Sequence, residues 1–125
     1  MQKVNLRRRG AVGESIAAAF LGEHGVRILE RNFRSGRSGE IDIIGYEGNV
    51  LAFFEVKARR GTKSGMPEES VTWEKQKNIC RTADYYRFLH RLSWEQTIRF
   101  DVVGVELGDK TAHVHWIRNA FPYHR

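Results

Sequence analysis

The sequence predicts an α/β domain, a mixed central sheet flanked by helices, with the element order α-β-β-β-α-β-β. Three observations lead there. Apolar residues recur at helical spacing in two stretches, one near the start and one between residues 72 and 91. Between and after these lie segments rich in Val, Ile, Leu and Phe, bounded by turn residues. No internal repeat, low-complexity stretch or linker divides the 125 residues, a length that suits one domain with a single core over residues 1–125. Strands on both sides of a helix argue for a mixed sheet in one compact unit.

The first helix is predicted over Ala11 to His24, where Val12, Ile16, Ala19 and Phe20 recur at helical spacing and Gly25 supplies a stop signal. Residues 1–9, including Arg7–Arg9, read as a flexible basic arm ahead of it. "VRILERNF" follows as a strand. Residues 39–46 and 50–59 form a hairpin with Gly48 in its turn. "GTKSGMPEES" has the Gly, Ser and Pro content of an exposed, mobile loop that orders on binding. A second helix runs from about Thr72 to Arg91, with Thr72 or Ser70 as N-cap and Ile79, Ala83, Tyr86 and His90 along one side. "TIRFDVVGVEL" is a strand, "GDK" a turn and "AHVHWI" the final strand.

Composition narrows the classes. Apolar residues make up 41% and charged residues 29%, the balance of a soluble globular protein. Cys80 is the only cysteine, which excludes an internal disulfide or a cysteine-based zinc site and fits a reducing, cytoplasmic setting. No apolar run approaches the roughly 18 residues of a membrane span, and no secretory signal opens the chain. No membrane partner is therefore expected. The net charge of +6 and pI near 9.8 favour an anionic partner. Basic residues gather at Arg7–Arg9, "ERNFRSGR", "KARRGTK" and the second helix, and two of these clusters bracket the hairpin. Each cluster alone reads as a solvated face; the bracketing points to a phosphate-bearing ligand.

The hairpin carries the chemistry. Glu40 and Asp42 interrupt its first strand, and Glu55 and Lys57 its second, among Ile, Val, Leu and Phe. Ionised groups are costly in such surroundings unless paired. In a strand, alternate side chains share a face, so Glu55, Lys57 and Arg59 go together, as do Glu40, Asp42 and Ile44. An even loop length brings Asp42 and Glu55 to the same side, diagonal or directly opposite, with β-carbons about 4.5–8 Å apart. A three-residue loop would separate them. Two carboxylates that close repel, and a hard divalent cation such as Mg2+ resolves the conflict. The Val56 carbonyl offers a further oxygen, and Lys57 can approach a water or a phosphate oxygen. The spacing, Asp, 12 intervening residues, then Glu-x-Lys, suits metal-assisted attack at phosphorus. A plainer reading also stands: a solvated sheet face on which Lys57 neutralises Glu55.

Asp42…Glu55-Val56-Lys57 resembles the motif of the PD-(D/E)xK nuclease superfamily, whose restriction-endonuclease-like core is α-β-β-β-α-β. More closely, "GEIDII", "FFEVKAR" and "RFDVV" resemble the YraN-like family of small, largely uncharacterised bacterial proteins, from "GESIAAAFLGEHGVRILERNFR" to "RFDVVGVE". Archaeal Holliday-junction resolvases show a similar arrangement more distantly. The resemblance implies Asp42 and Glu55 as ligands of Mg2+ or Mn2+ and Lys57 as the catalytic lysine. It implies Glu14, on the first helix, as a completing acid. Glu14 lies beside Ala17, Ala18 and Leu21, and reads equally as a favourable charge in a helix's first turn. Glu40 would be a secondary or outer acid. Lys75 and Gln76 open the second helix, where the superfamily places polar groups facing the site; an ordinary exposed first turn is the alternative. Asp101 pairs with an arginine or supports the cluster, and His113 and His115 read as surface histidines.

The expectation is an endonuclease acting on DNA, branched or single-stranded, by structure rather than sequence. Arg31, Arg34, Arg59, Arg60 and Lys63 would steer the backbone. Two alternatives remain, a non-catalytic nucleic-acid-binding module and a protein-interaction module on the same fold. Association into a homodimer stays open.

Overall fold

In a computed structural model, residues 6–36, 39–61 and 70–125 are described, with side chains from Gly10 onward. Seven elements follow in the expected order: α1 (Leu6–Glu23), β1 (Val26–Ser35), β2 (Gly39–Glu47), β3 (Val50–Arg60), α2 (Trp73–Leu89), β4 (Ile98–Leu107) and β5 (Ala112–Phe121). The strands form one sheet in the order β1-β2-β3-β4-β5. Neighbours are antiparallel except β3 and β4, which run parallel. Parallel strands need a long crossover, and α2 supplies it. The sheet is therefore mixed, as the sequence predicts.

The helices take opposite faces. Ile79, Cys80, Ala83 and Tyr86 of α2 pack with Ile44, Leu51, Phe53 and Phe100. Ala17 and Leu21 of α1 pack with Ile43, Ala52, Phe54, Val103 and Val105 on the other side. Such two-faced burial explains why β3 and β4 read as continuous apolar runs. Thr72 caps α2, its side chain accepting from the Lys75 N–H.

The first helix differs from the sequence expectation in two ways. It begins at Leu6, so Leu6–Arg9 of the anticipated flexible arm are helical. Leu and Arg are strong helix formers, and an interior glycine at Gly10 costs only about 1 kcal/mol. The buried face is also rotated. Gly13, Ala17 and Leu21 are buried, whereas Val12 and Ala19 are exposed. The reason is close approach: a Cβ at Gly13 would lie 2.4 Å from the Ala58 Cβ, so the smallest residues face β3. That leaves Glu14 at the margin of the contact.

The hairpin turns through Gly48, at φ +60, and Asn49, with Glu47 paired to Val50. Pairing continues to Ile43 and Phe54 and then stops. Beyond that point β2 stays with β1, through Phe33↔Ile41 and Arg34↔Glu40, while β3 stays with β4. The two strands fork. Ile41 packs in the same cluster as Ile44, and Ile43 in the opposite one, so the simple alternation expected of β2 breaks at Asp42. Among the described residues, no helix is long and apolar enough to cross a membrane.

Candidate active site

Asp42 and Glu55 stand at the fork. The register that pairs Ile43 with Phe54 sets them opposite one another, the directly opposed arrangement allowed by an even loop. Asp42 Oδ2 accepts the Val56 backbone N–H at 2.7 Å, so a side chain replaces the ladder bond lost where the strands part. Glu55 is only 5% exposed. Its Oε1 faces Lys57 Nζ at 3.7 Å and Lys75 Nζ at 2.9 Å. One of these lysines comes from the same strand and the other from the first turn of α2.

Two further acids lie close by. The negative charges of Glu14 and Glu40 both act on Asp42. With its amide nitrogen turned toward them, Asn32 donates to Glu14 Oε1 at 2.6 Å and to Glu40 Oε1 at 3.0 Å. Asn32 adopts φ +55, a left-handed conformation that Asn tolerates better than most residues. Arg34 pairs with Glu40 at 3.7 Å, and Arg31 Nη2 reaches Ser15 Oγ at 3.5 Å.

The electrostatics follow from this crowding. Burial first, and then the charge of Glu55, push the Asp42 carboxyl up to about 8, against the lowering effect of the Val56 N–H. Burial and Glu40 likewise raise Glu14, while Arg31 pulls it down. Burial works against the Lys75 ammonium, but the hydrogen bond and charge of Glu55 outweigh it, so its pKa is raised. A site holding more negative charge than it can stabilise has been built where two lysines can reach it.

The donor set fits a hard divalent cation: carboxylate oxygens, one of them so opposed that a proton is needed to relieve it near neutral pH. A hollow of roughly 260 Å³ beside Glu14, Asp42, Glu55, Val56 and Lys57 gives room for such an ion and its waters. Among the described residues, no three His, Cys, Asp or Glu side chains are drawn into a ready-made metal cluster. The Asp42–Glu55 pair is the nucleus, with Glu14 and Glu40 around it.

Other residues singled out from sequence lie elsewhere or have other partners. Gln76 bonds to the Val71 carbonyl at 3.0 Å and to His124 at 2.7 Å, which ties it to the C-terminal segment. Arg59 pairs with Glu106 at 3.2 Å and Arg60 with Asp109 at 3.4 Å. Lys63 and the remainder of the 62–69 loop lie outside the described residues. Asp101 is fully buried and accepts from Arg99 (2.8 and 2.9 Å), Trp116 Nε1 (2.9 Å) and the Asn119 N–H (2.9 Å). It is a structural anchor for β4 and β5. His113 and His115 are exposed, with His115 Nε2 3.8 Å from Glu106.

Sequence reasoning missed Asn32 and the reach of Lys75 to Glu55. Asn is a poor strand residue, and its place between Arg31 and Phe33 in a predicted strand was the available signal for the first. The second needs the crossover geometry.

Comparison with known proteins adds the family. The model of "Uncharacterised protein family UPF0102" matches residues 13–105, a span that includes Glu14, Asp42, Glu55, Lys57 and Lys75. A UPF0102 protein of Symbiobacterium thermophilum is 50% identical over 117 residues, covering 92% of this chain and 97% of its own length. One from Alkaliphilus metalliredigens is 44% identical over 112 residues, covering 90% and 96%. Another from Caldicellulosiruptor bescii is 41% identical over 120 residues, covering 94% and 100%.

Proposed function

We propose that this chain, which belongs to the UPF0102 family, is a metal-dependent endonuclease of the PD-(D/E)xK type that hydrolyses DNA phosphodiester bonds by structure rather than sequence. The observation that carries the reading is the convergence of Asp42, Glu55 and Lys57 at the hairpin fork. A solvated sheet face would have no reason to bury Glu55 opposite a second acid.

Asp42 and Glu55 would hold Mg2+ or Mn2+, with the Val56 carbonyl as a further oxygen. When bound, the ion supplies positive charge to offset the acids and to stabilise charge developing at phosphorus. Lys57 orients the attacking water and stabilises the anionic transition state. Lys75, which pairs with Glu55 at 2.9 Å, would turn to a phosphate oxygen of the bound backbone. Glu14 and Glu40, held together by Asn32, tune the charge of the cluster and order its waters. Arg31 and Arg34 line the approach and steer the backbone without reading bases. The free, buried Cys80 suits a cytoplasmic site of action.

A second reading has its own support. Lys75 at 2.9 Å closes an ion pair with Glu55, which suits a nucleic-acid-binding module that retains the site without turnover. The experiment that separates them uses purified chain, labelled branched and single-stranded DNA, and Mg2+ or Mn2+. Cleavage by wild type, lost in Asp42→Asn and in Lys57→Ala, is the expected result. Binding without cleavage by any of the three proteins overturns the nuclease and leaves the module.

A further inference from the structure

The solvent face of α2 carries large aromatic side chains among cations. Trp73 is 63% exposed, Phe88 76%, and Trp94, just beyond the helix, 86%. Lys77 Nζ lies 4.4 Å from the Trp73 ring centre, and the Arg87 guanidinium 4.8 Å from that of Trp94. Positions 73, 77, 81, 84 and 88 follow helical spacing, so Trp73, Lys77, Arg81 and Phe88 form one stripe. Asp84 interrupts it but accepts the Tyr123 hydroxyl at 2.7 Å, and Arg81 donates to Asn78.

The stripe begins at the candidate active site. Glu74 lines both the hollow of roughly 390 Å³ that contains Asp42 and Glu55 and the next one, of roughly 340 Å³, with Trp73, Lys77 and Arg81. At its far end a third hollow, of roughly 610 Å³, lies among Arg87, Phe88, Arg91 and Trp94. The distance along the helix from residue 73 to 88 is about 22 Å.

We infer that this face is a track for single-stranded nucleic acid, whose bases stack on Trp73, Phe88 and Trp94 while Lys77, Arg81, Arg87 and Arg91 meet its phosphates. The charge and the rings argue together. Exposed aromatic surface alone would suit many partners, but here cations alternate with the rings on a chain of net charge +6. A duplex hides its base faces in the stack and could use only the cations. A single strand uses both, because every base presents a π-face. Trp94 remains 86% exposed although Arg87 covers one side, so its other side is open to a base. The length matches the lower end of single-strand sites, on the order of four nucleotides.

The inference deepens the proposed function by naming the substrate that leads into the site. The binding measurement that tests it stands apart from catalysis. Fluorescence anisotropy with a labelled oligothymidylate and a matched duplex, in the presence of EDTA, reads binding without turnover. Trp94→Ala and Phe88→Ala, both at exposed positions, should each weaken single-strand binding roughly five- to hundredfold and leave duplex binding within about twofold. Single-strand binding should also quench tryptophan emission in wild type. Unchanged single-strand affinity in both variants overturns the track, even if Mg2+-dependent cleavage persists. Ring-dependent binding without any cleavage upholds the track and removes the nuclease instead. Sedimentation that reveals a dimer dissociated by Trp94→Ala would assign the face to a second copy and also overturn the inference.

Discussion

Asp42 accepts the backbone N–H of Val56 at 2.7 Å, at the point where β2 and β3 stop pairing. One carboxylate oxygen thus closes the hairpin, and its neighbouring Glu55 makes ionisation costly. The same group is asked to serve structure and to share a site with another acid.

That conflict has a pH signature. Asp42 sits at about 8 in the folded chain, against about 4 for an unfolded aspartate. Between those values the folded protein retains a proton that the unfolded chain has lost. The stability tied to that proton is full below pH 4 and is lost as pH rises through 8. Asp42→Asn still accepts from Val56 and has no such loss. Its unfolding free energy, read by denaturant titration, should exceed that of wild type increasingly from pH 5 to pH 8, by on the order of a few kcal/mol at the upper end. Parallel pH curves for the two proteins would remove the conflict between the acids.

A divalent cation should act on the same balance. At pH 8, Mg2+ or Mn2+ at about a hundred times its dissociation constant should stabilise wild type by about 3 kcal/mol, read as a raised melting temperature. Asp42→Asn should show little of this rise. An equal rise in both proteins would place the ion elsewhere.

The two lysines should separate. Lys57→Ala should reduce cleavage by about 100-fold or more, the scale of losing one transition-state donor, with DNA affinity nearly unchanged. Lys75→Ala should lower affinity and the salt dependence of binding, because its proposed role is a phosphate contact. Identical effects in a kcat-against-KM comparison would merge the roles.

Gly13→Ala should destabilise the fold. The added Cβ would meet the Ala58 Cβ at 2.4 Å, and overpacking of this kind costs about 1–3 kcal/mol, more than the helix-propensity gain of about 1 kcal/mol typically offsets. Ala58→Gly in the same chain should recover part of the loss in a urea titration. No recovery would locate the strain away from this contact.

Asp101→Ala should be more severe. It strips a fully buried carboxylate from Arg99, Trp116 and the Asn119 N–H, a loss of about 3–5 kcal/mol. Loss of near-ultraviolet circular dichroism at moderate temperature is the expected readout, and a near-native melting temperature would argue against the anchor.

The element order is legible because periodicity is local, whereas the sequence leaves the facing of Asp42 and Glu55 open between loop lengths, and the two-residue Gly48–Asn49 turn settles it. The parity of the hairpin loop carried the side-chain faces of β3, where the two-residue period holds from Leu51 to Arg59. It did not carry Ile41, because the fork in β2 arises from competition between two partner strands. The buried side of α1 was misread at Val12 and Ala19, since apolarity alone cannot show that Gly13 and Ala17 allow the closest approach. Lys75 reaches Glu55 only because the parallel β3–β4 pair forces α2 to cross over the sheet, a constraint that no short window of residues contains.

The Gly48–Asn49 turn lies about 17 Å along the strands from the carboxylates, yet it keeps count for them. Adding one residue there would exchange the sides on which β2 presents its odd and even positions. Asp42 would then leave Glu55 for the α1 side of the sheet, or Ile43 and Ile44 would have to surrender their places in the core. The placement of the two acids is therefore vulnerable to a change in chain length far from both, and such an insertion would part them while every acid and lysine remained in the sequence.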